Sequence, residues 1–364
     1  MAFFGLFGNK SSSVLGVDIG SSSLKVVQLK KQGGKAVLET YGELALGPYA
    51  GLEIGQATNL TADKITETLK DLLREAKVTT NNCGVSIPFA RSLLTLVELP
   101  RRQNKEEQKT IIELEARKYI PVPMNEVQFD WFAVPDEDRA GASADASAAA
   151  KVRVLLVAVH NDELTLLQNV MRDASLTASF YEIEIFSTIR AVVDEPVKPV
   201  MVLDIGAATT KAYIVEHGVV ALSHTITSGG QDATRAIAVA GNMSIAAAET
   251  LKKSMGLSDS KNVAVNIRPS IELIYSRIFS EARRVLSQYE TTHQKAIAAI
   301  ILTGGGGVTK GLGPYAQSAF SIEVRVADPF SKTEAPAFIR PVLQEIGPEF
   351  AVAVGLALRK LEEI

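Results

Sequence analysis

One motif is written twice in this chain. Residues 14–25 read VLGVDIGSSSLK and residues 200–211 read VMVLDIGAATTK, so a Val, the Asp-Ile-Gly triplet and a closing Lys coincide about half a chain apart. In each copy an apolar β-type run ends in Asp-x-Gly, passes through small or hydroxyl residues, and resumes as a second β run. These second runs are Val26 to Leu29 and Ala212 to Val215. The pattern is that of a hairpin with a small-residue turn. Two such hairpins predict a duplicated, two-lobed α/β body.

The length of 364 residues gives such a body room for two domains and a real core. Lys and Arg nearly balance Asp and Glu, the net charge is −3, and no long run has one sign. A nucleic-acid binder is therefore not expected. One cysteine, Cys83, excludes an internal disulfide, and His160, His217, His224 and His293 are too scattered to build a metal cluster. The opening Met1 to Lys10 lacks the charged start and length of a signal peptide, and no stretch of about 18 uninterrupted apolar residues follows. The expectation is a cytoplasmic protein that does not cross a membrane.

Between the repeats, apolar residues at helical spacing behind Thr61 predict an amphipathic helix to about Ala76. Strands are expected over Gly84 to Ile87 and Leu93 to Leu99. Asn104 to Glu107 carries a capping-box signal for a helix running to about Tyr119, stopped by Pro121 and Pro123. Residues 136–150, small and polar, read as a mobile hairpin loop before a strand at Val152 to Val159. After the second repeat come a strand near Ala221 to Ile226 and helices at about Gln231 to Val239, Ser244 to Ser254 and Pro269 to Thr292. A buried strand ending at Leu302 then enters Thr303 and four glycines, with a helix from about Thr309, a strand at Ser321 to Val326 and a last helix from Pro348.

Asp-x-Gly at a strand end suits phosphate and Mg²⁺ chemistry. Gly lets backbone approach a ligand, consecutive amides form an anion nest, and the Asp holds a cation directly or through water. A single copy would be a plain turn. Two aligned copies, each with a Lys five residues past the Gly, predict a clamp on a polyphosphate from both sides of a cleft. Gly304, Gly305, Gly306 and Gly307 are hard to justify as packing and suit an adenine or phosphate lying on bare backbone at a helix start. Glu249 and Lys252 are i,i+3 neighbours that reach for ribose or base, although alone they are an exposed ion pair.

Phosphate hairpin, second hairpin, glycine loop, then Ala353 to Leu356 in a terminal helix is an order that resembles the actin-like ATPase superfamily over most of the chain. Within it, SSSLK at Ser21 to Lys25, YIPVP at Tyr119 to Pro123 and EIFSTIR at Glu184 to Arg190 are similar to the PilM family. That family is the cytoplasmic actin-like component of the type IV pilus inner-membrane platform, with the division protein FtsA as nearest relative. The resemblance implies an α/β fold of the actin-like, ribonuclease H-like duplicated kind. It implies ATP and Mg²⁺ as ligands: Asp18 and Asp204 hold Mg²⁺ through water, while Gly20, Ser21, Ser22 and Ser23 with Gly206, Ala207, Ala208 and Thr209 bind phosphates. Lys25 and Lys211 belong to the same cofactor set, with Gly229 and Gly230 near the phosphates, Glu249 and Lys252 at ribose and base, and Gly304 to Gly307 at adenosine. For the residue that positions water, Glu182 and Glu184 stay equal alternatives, so ATP binding is a safer expectation than its hydrolysis.

The implied organisation is a first lobe (1–199) with an insert at about 84–185, and a second lobe (200–340) with a helical insert at about 240–295. A C-terminal helix (341–364) returns to the first lobe. The implied partner is the cytoplasmic N-terminal tail of a PilN-like inner-membrane protein, seated between the first lobe's core and its small subdomain, with other platform proteins nearby and peripheral membrane association through that partner. A sugar or metabolite kinase needs a catalytic Asp pocket where the insert stands. An FtsA-like filament needs an amphipathic tether, which the ending Arg359 to Ile364, inside the last helix, does not supply. Phe3, Phe4, Leu6 and Phe7 either fold back on the protein's surface or form a hydrophobic hook for a membrane interface or a platform subunit.

Overall fold

The computed structural model describes residues 13–102, 104–134, 151–194, 197–257 and 267–362. The Phe-rich opening and the loop expected at 136–150 lie outside the described residues. In chain order the first half forms β1 (Ser13–Ile19), β2 (Ser23–Gln32), β3 (Lys35–Ala45), α1 (Ala62–Glu75), β4 (Asn82–Ile87), β5 (Ser92–Pro100) and α2 (Lys105–Ala116). It continues through β6 (Val127–Ala133), β7 (Lys151–His160), α3 (Asn161–Asp173), β8 (Thr177–Ile183) and α4 (Glu184–Val192). The second half forms β9 (Val200–Ile205), β10 (Thr210–Glu216), β11 (Val219–Ile226), α5 (Gly230–Gly241), α6 (Ile245–Met255) and α7 (Arg268–His293). β12 (Ala299–Thr303), α8 (Leu312–Ala319), β13 (Glu323–Val326), α9 (Arg340–Ile346) and α10 (Ala351–Glu362) complete it.

The duplication is explicit in the sheets. The first lobe orders its strands β3-β2-β1-β4-β8 and the second β11-β10-β9-β12-β13, in each case an antiparallel meander extended by two parallel strands. β1 and β9 are buried on both faces, which is why both read as continuous apolar runs rather than alternating ones. A third, smaller sheet, β5-β7-β6, packs Val97, Leu99, Val154 and Leu156 against Ile112 and Ala116 of α2. Its other face sets Leu155 on Val219 with Phe186 beside them. This separate sheet is narrower than the insert expected at 84–185, because β4 and β8 pair into the first lobe's main sheet.

Local signals held with adjustments at element ends; the last helix, α10, begins at Ala351 rather than Pro348, behind a 3-10 turn at Gly347–Phe350. Asn104 caps α2 by accepting from the Glu106 amide at 2.8 Å, but the helix closes at Ala116 rather than Tyr119. The residue before Pro121 is pushed out of the helical region, and the last turn tightens ahead of it. Thr309 does not start α8. Its hydroxyl bonds the Gly306 carbonyl at 2.8 Å and Tyr275 at 2.7 Å, and the helix begins after Gly311, whose φ is 76°.

Ala337–Glu362 is apolar and long enough to cross a membrane by composition, yet most of it is buried. Ala351 to Leu358 is buried throughout, with α10 laid on β1 and crossed by α4. The crossing with α4 is a backbone contact: a Cβ on Gly355 would lie 1.9 Å from the Ser187 carbonyl oxygen. Gly355→Ala therefore forces the helices apart. It is expected to lower stability by about 1–3 kcal/mol in a urea titration, and an unchanged midpoint would contradict this packing.

Candidate functional site: a cleft between the two hairpins

Both Asp-x-Gly turns fold alike. The Gly20 amide donates to the Ser23 carbonyl at 3.1 Å and the Gly206 amide to the Thr209 carbonyl at 2.9 Å. The spacing sets Asp18 directly across from Lys25 and Asp204 across from Lys211. The two turns face a cleft of about 430 Å³. It is lined by Asp18, Gly20 to Ser23, Lys25, Glu184, Asp204, Gly206 to Thr209, Lys211, Gly230, Glu249, Lys252 and Gly304 to Gly306. Nearly every expected site residue is thus brought to one place from segments spread over most of the sequence.

Three expected residues do not line it. Glu182 is buried elsewhere, its carboxylate held by Arg190 at 2.8 and 2.9 Å and by Arg359 at 2.7 Å. Those charge-assisted bonds hold its pKa down against the upward push of burial. Glu182 pins β8, α4 and α10 together, and of the two glutamates only Glu184 lines the cleft. Gly229 sits behind the second turn, where a side chain would meet the Ala207 carbonyl at 2.5 Å, and Gly307 closes back on the Thr303 carbonyl.

The glycine loop corrects an expectation. Packing does account for it: a Cβ on Gly304, whose φ is 81°, would meet the Asp204 carboxylate at 2.4 Å, and one on Gly306 would meet Ile205 at 2.3 Å. Of the loop, Gly305 alone has room for a Cβ, which would meet only the Glu349 carboxylate at an ordinary contact distance of 3.7 Å. The loop is a turn pressed onto β9, with α8 beginning several residues later.

Burial is the largest single influence on Asp18, Lys25 and Lys211, and neighbouring charges decide the direction at these two lysines. It pushes Asp18 up to about 6, with Lys25 pulling down and Glu184 adding to the rise. For Lys25 burial alone would lower the pKa, but Glu43 at 3.1 Å and Glu349 outweigh it and leave it raised. Lys211 is raised the same way, burial being overcome by Asp204 at 3.1 Å and Glu184 at 2.7 Å. The Glu249–Lys252 pair is buried rather than exposed: the two charges lie 2.7 Å apart, and Lys252 also donates to Gly230 and Thr234. Burial lowers the Lys252 pKa. Among the described residues no group of three or more His, Cys, Asp or Glu side chains is arranged to hold a metal. A cation here would have to take most of its oxygens from phosphate and water, with Asp18 as a side chain that could join them.

Sequence reasoning missed Glu43 on β3, Ser86 beside Asp18, and Glu349 in the 3-10 turn Gly347–Phe350 ahead of α10. Only Glu349 carried a signal, as an acid at the start of a terminal helix.

The fold and cleft define an actin-like two-lobed protein. The same fold occurs in MreB5 of Spiroplasma citri bound to AMPPNP (TM-score 0.55, 13% identity, 97% of this chain and 98% of that one) and in the MamK double helical filament (TM-score 0.53, 15% identity, 97% and 99%). A solved PilM-PilN type IV pilus biogenesis complex matches with a TM-score of 0.78 and 26% identity over 96% of this chain and 98% of that chain. Residues 16–361 match the family model of the type IV pilus assembly protein PilM, and the chain belongs to that family.

Burial, reinforced by Glu43, raises Glu349 from 4.5 to about 7. An acid whose pKa is raised on folding contributes stability below its unfolded value and loses it as pH rises through the folded value. Glu349→Gln should therefore match wild type at and below pH 4.5 and exceed it at pH 8 by on the order of 1 kcal/mol in urea unfolding. A variant less stable than wild type at pH 8 would contradict the reading.

Proposed function

We propose that the cleft binds ATP, and that the nucleotide-bound body serves type IV pilus assembly by docking the cytoplasmic N-terminal segment of a PilN-like inner-membrane protein. The observation that carries the ATP reading is the pair of hairpins in one register, Asp18 opposite Lys25 and Asp204 opposite Lys211, aimed into the same cleft as the Gly304 to Gly306 turn. Backbone amides and hydroxyls of Ser21 to Ser23 and Ala207 to Thr209 take phosphate, and the glycine turn takes the nucleoside. The AMPPNP carried by MreB5 on the same fold supports this. The PilN in the solved complex supports the partner. Such a protein works on the cytoplasmic side and reaches the membrane through its partner.

For the docking groove we assign the junction of the β5-β7-β6 sheet with the first lobe, where an extended segment finds apolar surface and strand edges. Glu184 is the carboxylate that positions water in any hydrolysis. It is held by Lys211 and by the Phe89 amide at 2.6 Å, so turnover is slow, well below a kinase-like rate of about 10 per second.

Gly305 gives a direct test of the ATP site, because a side chain there enters the cleft without striking backbone. Gly305→Phe should weaken binding of labelled ATP about tenfold or more at unchanged melting temperature, while Lys64→Ala on the outer face of α1 leaves it alone. Equal affinities would remove ATP from this cleft. For the partner, Ser92 pairs with Val159, so a short Gly-Ser link can replace residues 92–160. That deletion should abolish capture of a PilN N-terminal peptide and spare ATP binding; retained capture would place the groove elsewhere.

A further inference from the structure

The two repeats keep the same Asp and Lys in the same register, yet the structure uses them differently. In the first hairpin Lys25 makes its ion pair with Glu43 rather than with Asp18. Its Nζ lies 3.1 Å from the Glu43 carboxylate and 2.6 Å from the Ser23 hydroxyl. Asp18 is about nine-tenths buried and lines the cleft; it accepts from the Ser86 hydroxyl at 2.9 Å and makes no ion pair among the described residues. A buried carboxylate without a direct ion pair is costly to maintain, and this one faces the space where a ligand enters.

In the second hairpin the aspartate already has a cationic partner. Lys211 lies 3.1 Å from Asp204 and 2.7 Å from Glu184, the first residue of α4 in the other lobe. Both carboxylates and the ammonium are nearly buried, so drawing Asp204 away toward a metal would break a nearly buried ion pair. Mg²⁺ dehydrates reluctantly and takes one or two carboxylates alongside phosphate oxygens. Asp18 meets that need and Asp204 does not.

We propose that the duplicated hairpins have divided their labour: Asp18 alone answers the divalent cation that accompanies the nucleotide, and Lys211 has withdrawn Asp204 from the cation site to form a clamp with Glu184 across the lobes. This departs from the symmetric expectation that both aspartates hold Mg²⁺, and it rests on the cleft being the nucleotide site.

The test reads the affinity of a fluorescent ATP analogue in Mg²⁺ and in EDTA, with Mn²⁺ paramagnetic resonance in the presence of ADP as a second readout. Wild type should bind about tenfold or more tightly with Mg²⁺. Asp18→Asn should bring that ratio to about one and lose the nucleotide-dependent Mn²⁺ signal, whereas Asp204→Asn keeps the signal and a ratio within about threefold of wild type, whatever its absolute affinity. Should Asp204→Asn fail to fold, Lys211→Met carries the test, since it frees both clamp carboxylates and should hold the ratio at or above wild type. Collapse of the ratio in Asp204→Asn or Lys211→Met, its survival in Asp18→Asn, or a wild-type ratio of one overturns the division of labour. Wild type that binds no analogue in either buffer refutes the nucleotide reading, and this proposal with it.

Discussion

Where α10 crosses α4, a helix touches backbone through a glycine: Gly355 lies against the Ser187 carbonyl with no room for a methyl group. The geometry of the cleft depends on that contact. α4 begins at Glu184 and α10 follows the turn that carries Glu349, so the crossing sets two of the cleft's carboxylates in place. Glu182, bound to Arg190 of α4 and Arg359 of α10, locks the same crossing from the side away from the cleft. A chain segment that follows the second lobe is thereby built into the core of the first, burying Ala351 to Leu358 beneath β1.

Duplication supplies the other half of the design. Two sheets of one topology present the same turn toward a common space, and pairing at the mouth of each hairpin puts an acid and a base at the same depth. Identical positions then acquire different surroundings. Glu43 on β3 draws Lys25 aside, while Glu184 reaches across to Lys211 from the other lobe. The pseudosymmetry of the sequence is broken by neighbours outside the repeats.

The hairpins were legible because everything that defines them is local: an apolar run, Asp-x-Gly, small residues, and a Lys seven positions past the Asp that lands opposite it. The family resemblance was legible from the same residues and their order. Glu182 against Glu184 was not. On a continuing strand the two would share a face, but the strand ends at Ile183 and Glu184 already belongs to α4, so one turns into an arginine pair and the other into the cleft. The extent of the insert was hidden for a related reason. β4 and β8 join the main sheet through parallel pairings with partners far away in sequence, and no local pattern announces such a pairing. The glycine loop read as bare binding surface because the close approach of Ile205 and Asp204 beneath it arises only when β9 and β12 lie side by side.

The central claim is that one nucleotide engages both hairpin turns at once. Amide hydrogen exchange of the full chain, with and without Mg-ATP, measures this most directly. The account predicts that Gly20 to Ser23 and Gly206 to Thr209 slow together at the same ATP concentration, along with Gly304 to Gly306. Protection of one turn without the other, or of neither while ATP is bound, would contradict it.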